Sequence, residues 1–344
     1  MRAFGSGRSP SDVEPFLHDV FFGHPWVDPD LPSLAAVDRN GRLVGCLGVM
    51  PRPMILDGRP VRAAVTHNFL VDPEHRRGLT ALALMQAMGG LGVDASFCEP
   101  NEAGRAVGQA VGARVVQSRA RRWLWPLRPS ALAARLARGG RTPSGVGGVL
   151  DTLASALDAM AHRLPGSPFR PARTGARAEP LTPDGWAETI ERCTSAMRLR
   201  PVYSASSLAW LLRTLAATRR DQALRGRSVI DGGEVVGWFV YYARPRGVGR
   251  VLQLGATPHA ATPHARGRVL DCLVRDALET GCLALSGASD PGWDDDTALA
   301  TWPARERQSW PMVLTGSSDL RNVLESSDAF FTRLEGEGWL RFAF

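Results

Sequence analysis

The stretch Thr66-His67-Asn68-Phe69-Leu70-Val71-Asp72-Pro73-Glu74-His75-Arg76-Arg77-Gly78-Leu79-Thr80 decides how the chain is read. Its apolar and β-branched first half, within Val61–Val71, predicts a central strand. Pro73 ends that strand, because proline has no N–H to give to a ladder. From Leu79 to Met88 the apolar residues fall at helical spacing, and Gly89-Gly90 stops the helix. A strand therefore runs into a basic, glycine-containing turn that opens a helix. Such a turn is an anion site. Free N–H groups and the helix dipole favour negative charge there. Arg76 and Arg77 add charge-assisted bonds, and Gly78 lets the backbone approach a ligand closely.

The elements around the loop extend the pattern. Upstream, Leu34–Val37 and Leu43–Pro51 flank Asp38-Arg39-Asn40-Gly41, a hairpin signal, and Asp57-Gly58 marks a second turn. Downstream, Ala95–Cys98 reads as a short buried strand. Asn101 caps a helix reaching about Ala110, Gly112 stops it, and Val115-Val116 begins another strand. The order is four strands, the loop, helix, strand, helix, strand. Residues 181–344 repeat it. Ser206–Ala217 is helical, and Ser228–Ile230 and Val235–Ala243 flank Asp231-Gly232-Gly233. Val251–Ala256 is a strand, and the helix Arg266–Thr280 leads through Gly281 to the strand Cys282–Ser286. One architecture is used twice.

Composition narrows the chemistry. The chain has 344 residues, and its 41 Lys+Arg positions are all arginine. Without lysine there is no Walker-type phosphate loop, no protein kinase and no Schiff-base enzyme. Biased codon use accounts most simply for the missing lysine. Against 34 acids the net charge is +7, and arginine favours bidentate contact with phosphate and carboxylate. The length suits about two domains, and 44% hydrophobic residues suffice for their cores. No run approaches the roughly 18 apolar residues of a membrane span. The N-terminus, MRAFGSGRSPSDVEP, lacks a signal-peptide core, so a cytoplasmic protein is expected. Cys46, Cys98, Cys193, Cys272 and Cys282 form no CxxC pair and read as buried thiols. The seven histidines have no metal-ligand spacing, so no metal is expected.

The net charge is local. Between Ala103 and Leu150 there is no acid but nine arginines: Arg105, Arg114, Arg119, Arg121, Arg122, Arg128, Arg135, Arg138 and Arg141. Read as an Arg/Ala/Gly/Pro-rich linker over 126–180, this zone is a solvated connector, a dock for an anionic carrier, or a patch for an anionic membrane surface.

The central loop resembles the signature of the GNAT superfamily, the GCN5-related N-acetyltransferases. That signature is Val-x-Pro-x-x-(Gln/Arg)-x-x-Gly-x-(Gly/Ala), which wraps the pyrophosphate of acyl-coenzyme A between a strand and a helix. Here it is Val71-Asp72-Pro73-Glu74-His75-Arg76-Arg77-Gly78-Leu79-Thr80, one residue shorter; counted back from Gly78, His75 stands where the family prefers Gln or Arg, and Thr80 stands where it prefers Gly or Ala. Cys98-Glu99-Pro100-Asn101 and Val111-Gly112-Ala113 also look like the family's following strand, helix and glycine turn. The resemblance implies an α/β (α+β) fold of two tandem GNAT-like domains, each a mixed, mostly antiparallel sheet flanked by helices. Residues 1–125 and 181–344 are then the domains. It implies an N-acyltransferase moving an acyl group from acyl-CoA to the amine of a small molecule, sugar or peptide. An acyl carrier protein or aminoacyl-tRNA donor, and a non-catalytic CoA-binding or regulatory protein, are the alternatives. Specific DNA binding is not expected, since no DNA-binding motif occurs.

Residue by residue, the resemblance places the cofactor on His75, Arg76, Arg77, Gly78, Leu79, Thr80 and Asn101, with the backbone amides of Phe69, Leu70 and Val71 at the thioester carbonyl. The family's general base varies, and His67 and Glu99 are the candidates here; His67 is favoured on its ordinary pKa. Where the family often has a Tyr that protonates the leaving thiolate, this chain has Gly108; its tyrosines, Tyr203, Tyr241 and Tyr242, all lie in the second half. The second-half loop, Ala256–Arg268 with a doubled Thr-Pro-His-Ala, has lost the Arg/Gly spacing and reads as a degenerate cofactor loop that shapes the acceptor pocket. Tandem members of the superfamily commonly keep one working acyl-CoA site. Ser204–Leu215 and the ending 330–342 resemble the second half of bacterial GNAT and Fem-like proteins. Trp293, Asp294–Asp296, Trp302 and Trp310 form an aromatic and acidic group suited to a cationic or sugar acceptor.

Overall fold

The computed structural model describes residues 10–138, 146–165, 167, 175–219, 222–258, 264–294 and 311–340. Their strands form two six-stranded sheets and one of three strands. The first sheet runs in the order β1 (Leu34–Val37), β2 (Leu43–Pro51), β5 (Ala63–Val71), β6 (Ala95–Cys98), β15 (Met312–Leu314), β7 (Arg114–Val115). The second runs β8 (Arg122–Pro126), β14 (Ala284–Ala288), β13 (Val248–Ala256), β12 (Glu234–Ala243), β11 (Ala223–Asp231), β9 (Arg177–Pro180). The small sheet joins β10 (Leu199–Pro201) to β3 (Met54–Leu56) and β4 (Arg59–Val61). In each large sheet one neighbouring pair is parallel, β5 with β6 and β13 with β14, and the remaining pairs are antiparallel. Two mixed α/β domains of like design result.

The hairpins form where the turn residues require them. Gly41 has φ +75°, and Gly232 and Gly233 have φ +58° and +90°, conformations that a Cβ disfavours. Helices α2 (Thr80–Gly89) and α3 (Glu102–Ala110) flank the first sheet, and α8 (Ala265–Glu279) flanks the second. Between the domains lie α1 (Pro10–Phe21), α6 (Pro183–Thr194) and α7 (Ala205–Thr218).

The strands do not divide at residue 125 or 181. β8, from the first half, is the edge strand of the second sheet, pairing Arg122–Pro126 with Ala288–Ala284. β15, from the end of the chain, sits inside the first sheet, with Met312 opposite both Cys98 and Val115. Residues 126–180, read from the sequence as a linker, carry α4 (Pro129–Ala137) and α5 (Val146–Arg163) and end in β9. Buried Asp158 of α5 accepts from Ser130 N and Ala131 N at 2.9 Å each, satisfying the first turn of α4.

One apolar cluster joins both halves, with Val65 and Phe97 from the first and Trp186, Leu208, Trp238 and Phe330 from the second. Its polar centre is Gln253, whose Oε1 accepts from Trp186 (3.1 Å) and Trp238 (2.8 Å) and whose Nε2 donates to Glu335 (3.0 Å). Arg119, one of the nine arginines of the acid-free zone, is buried here. It donates to the carbonyls of Leu324 (2.9 Å), Phe331 (2.8 Å), Ser326 (3.2 Å) and Ala329 (2.9 Å) and lies 3.2 Å from Asp290. A planar guanidinium with five donors suits this task, which no other side chain performs.

Candidate active site

β5 and β6 stay together for three residues only, Ala63↔Ala95, Ala64↔Ser96 and Val65↔Phe97. The last link is Thr66 Oγ1 donating to Phe97 O at 3.4 Å. Beyond it β5 runs on to Val71, held by β2 alone, and a wedge opens between the strands. A register shift between Cys46 and Gly48, and Asn68 at φ +46°, kink β5 where it enters the wedge. Phe69, Leu70 and Val71 therefore lie on a splayed strand whose second edge has no ladder partner in β6.

The basic loop stands at the open end of this wedge. Asp72 begins a short 3₁₀ turn, Pro73–His75, by accepting from Glu74 N at 3.0 Å. That bond, with Arg42 at 3.2 Å and His75 at 3.9 Å, holds the Asp72 carboxyl below the usual range. Arg76 Nε donates to Val71 O at 3.1 Å, which fixes the turn to the end of β5. Arg77 is exposed. Leu79 precedes α2 and supplies no capping side chain, and the first turn, from Thr80, contains no acid. The first-turn N–H groups of α2 are thus open to a ligand. A Cβ on Gly78 would meet only His75 O, at 3.4 Å, so the space above the loop is clear. Asn101 serves locally, its side chain accepting from Gly104 N at 2.9 Å as the cap of α3.

The two candidate bases sit in different surroundings. His67 is 1% exposed, its ring 4.9 Å from that of Phe21 and packed on Gly48. Asn68 Nδ2 lies 3.0 Å from His67 Nδ1. With Asn68 donating, the imidazole proton is on Nε2, which is buried and meets no acceptor among the described residues. Burial, then the neighbouring His24, lowers the His67 pKa to about 3. The ordinary pKa that favoured His67 as a base is lost, and a neutral N–H donor remains. Glu99 ends β6. Its N–H donates to Glu337 Oε2 at 2.6 Å, Arg122 lies 3.5 Å from its carboxylate, and a Cβ on Gly338 would stand 2.7 Å from Oε2. Gly108 is packed against β15: a Cβ there would be 3.3 Å from Met312 Cε, so any larger side chain has to displace the end of Met312.

A second wedge opens where β13 and β14 part after Arg250↔Ser286. It is the heart of a cavity of about 880 Å³, open mouth included, whose walls include Val251–Leu254 and Gly287–Asp290. Across from them the wall is Cys98-Glu99 and Gly336–Gly338, so the cavity reaches the end of β6. Trp123 and buried Trp293 give it aromatic faces, and Asp290 and Asp294 give it acid. Trp293 and Asp294 thus occur in the wall as part of the aromatic-acidic group read from the sequence; Asp295, Asp296, Trp302 and Trp310 lie outside the described residues. In the second-half loop, residues 259–263 also lie outside them, and Arg266 stacks over Trp293 at 5.7 Å. Burial raises the thiol pKa of Cys46, Cys272 and, to about 11, Cys193. Among the described residues no three His, Cys, Asp or Glu side chains are grouped as a metal site requires. Arg119, Gln253 and Glu337 were not anticipated from sequence. Apart from the Trp238 bond to Gln253, their roles rest on contacts with segments between 67 and 238 residues away.

Neither a family model nor a curated protein matches the sequence. Solved structures match the fold. A GCN5-related N-acetyltransferase from Anabaena variabilis aligns with TM-score 0.57 and 12% identity, over 89% of this chain and 66% of that one. N-myristoyltransferase of Saccharomyces cerevisiae, with bound myristoyl-CoA, gives 0.52 and 12%, over 86% and 70%. A GCN5-related N-acetyltransferase from Kribbella flavida gives 0.50 and 15%, over 88% and 62%. The chain thus spans less than two thirds of the length of the Anabaena and Kribbella proteins. At these identities the likeness is one of fold: the protein has the GNAT fold, in two domains. Among the described residues no helix is long and apolar enough to cross a membrane.

Proposed function

We propose that the protein is an acyl-CoA-dependent N-acyltransferase, with the donor in the first wedge and the amine in the cavity between the domains. One observation carries this reading: Glu99, the last turn-off of β6 from the donor wedge, is also a wall of the cavity. Bound acyl-CoA supplies an activated acyl group. Arg76, Arg77 and the first-turn N–H groups of α2 hold its pyrophosphate, for which the uncapped helix end and clear space above Gly78 are suited. The amides of Phe69–Val71 polarise the thioester carbonyl. The amine nitrogen forms a bond to the carbonyl carbon, the carbon–sulfur bond breaks, and Glu99 takes the amine proton directly or through water. The thiolate leaves and takes its proton from water, since residue 108 has no acid to give. Positioning and carbonyl polarisation supply most of the rate.

The test is calorimetry with an acyl-CoA series, joined to turnover on a panel of amines. The wild type binds acyl-CoA, and Arg77→Ala with Gly78→Asp abolishes binding. Glu99→Gln keeps the affinity and lowers turnover by roughly a hundredfold. Unchanged affinity in the loop variant sinks the donor site. Salt-sensitive binding to an acyl carrier protein or aminoacyl-tRNA, with none to CoA, assigns a different donor. Tight CoA binding with no turnover on any amine leaves a binding or regulatory protein.

A further inference from the structure

Helix α5 presents an apolar stripe to solvent. Leu150, Leu153, Leu157 and Met160 are 53, 58, 58 and 60% exposed, and Leu164, just past the end of the helix, is 56% exposed. Their spacing alternates three and four residues. At about 100° per residue the four helical positions share an arc of about 80°, and at about 1.5 Å per residue they span roughly 15 Å. Leu136 of α4, the helix packed against α5, is 67% exposed as well. The inner face of α5 is already spent: Ala154 and Asp158 are buried, Asp158 caps α4, and His162 Nε2 lies 2.8 Å from Leu127 O. Four large apolar residues held outward by a helix anchored along another line, with a fifth just past its end, are more than scattered surface hydrophobes.

The charge around the stripe says what it meets. α4 carries Arg135 and no acid, and α5 ends in exposed Arg163. Of the two acids in α5, Asp151 and Asp158, the second is buried and bonded to α4. The α4–α5 pair closes an acid-free run that begins at Ala103 and ends at Leu150. Leucine and methionine on one face, with arginines as the flanking cations, form an interfacial helix, and guanidinium groups bind phosphate in bidentate fashion.

We propose that α5 seats the protein on an anionic phospholipid surface, lying in the plane of the interface, with the stripe at the boundary of headgroups and acyl chains and Arg135 and Arg163 on lipid phosphates. This does not depend on the acyl-transfer reading.

The test is flotation of the full chain with vesicles of phosphatidylcholine alone or mixed with phosphatidylglycerol, alongside analytical ultracentrifugation. Leu153→Glu with Leu157→Glu removes the centre of the stripe at exposed positions, and an unchanged thermal melt shows the variant folded. The wild type is expected to float with anionic vesicles on the order of tenfold better than with neutral ones, less at raised salt, and the double variant to lose on the order of tenfold or more. Equal flotation of wild type and variant overturns the proposal. So does a wild type that ignores both vesicles. If it is then a dimer that the variant converts to monomer, the stripe belongs to a second copy; if it is a monomer, the chain covers its own stripe.

Discussion

The backbone N–H of Glu99 donates to Glu337 Oε2 at 2.6 Å, so the end of β6 is latched by a carboxylate from near the end of the chain. The latch leaves little room. A Cβ on Gly338 would stand 2.7 Å from Glu99 Oε2, closer than such atoms approach. Gly338→Ala is expected to displace the Glu99 carboxylate without touching the basic loop. Turnover should fall roughly ten- to a hundredfold while acyl-CoA affinity stays as it was. Calorimetry and initial rates on the same preparation check this, and an equal loss of both would place the effect elsewhere.

Arg119 joins the carbonyls of four residues between 324 and 331 to Asp290. Arg119→Met leaves those oxygens and a carboxylate without their partner in a buried place. The expected cost is about 3–5 kcal/mol in urea unfolding. Arg119→Lys should recover only a minor part, because an ammonium cannot span the same set of acceptors.

His67 and His24 have pKa values lowered to about 3 and about 4 from an ordinary 6.5, both chiefly by burial. The unfolded chain therefore binds more protons than the folded one between those values. Stability is full above about pH 6.5 and is lost as pH falls toward 4, by at most about 1.4 kcal/mol per pH unit for each histidine. Urea unfolding of His67→Gln across this window should show a shallower dependence than wild type. Identical slopes would mean that His67 does not titrate as its burial requires.

Installing a tyrosine at Gly108 is the obvious attempt to restore a thiol-protonating acid. The site abuts Met312 of β15, with 3.3 Å between a Cβ and Met312 Cε. Gly108→Tyr should therefore displace the Met312 side chain and overpack this site, costing on the order of 1–3 kcal/mol by thermal or urea melt, with no gain in turnover. A stable and faster Gly108→Tyr enzyme would contradict the packing.

Local signals were legible where local chemistry decides. Asn40-Gly41, Asp57-Gly58 and Asp231-Gly232-Gly233 became turns with positive φ, and Asn101 caps its helix. The strand Ala95–Cys98 and the basic loop opening α2 fall where periodicity and proline put them. Long-range pairing was not legible. Met312–Leu314 is a three-residue strand, too short to show a period, and its place is set by partners some two hundred residues earlier. α5 begins with Val146-Gly147-Gly148, a weak helical opening, and is held instead by tertiary bonds through Asp158 and His162. Charge was legible as a total and not as a place: Arg119 counts toward a basic surface in the sequence but lies in the core. His67 kept its expected strand, while its pKa was decided by burial and then by His24, which the sequence does not bring near.

The exchange of β8 and β15 has a bearing on how the chain matures. The first sheet lacks an interior strand until Met312–Leu314 has been made, and β6 and β7 can meet only through it. During synthesis the amino-terminal half waits with an unpaired edge while the roughly two hundred residues between Val115 and Met312 are made. Closing both sheets is then a late, high-contact-order event shared by the two domains. A cut between them would not liberate two independent modules; it would leave two incomplete sheets, each with its missing strand on the other fragment.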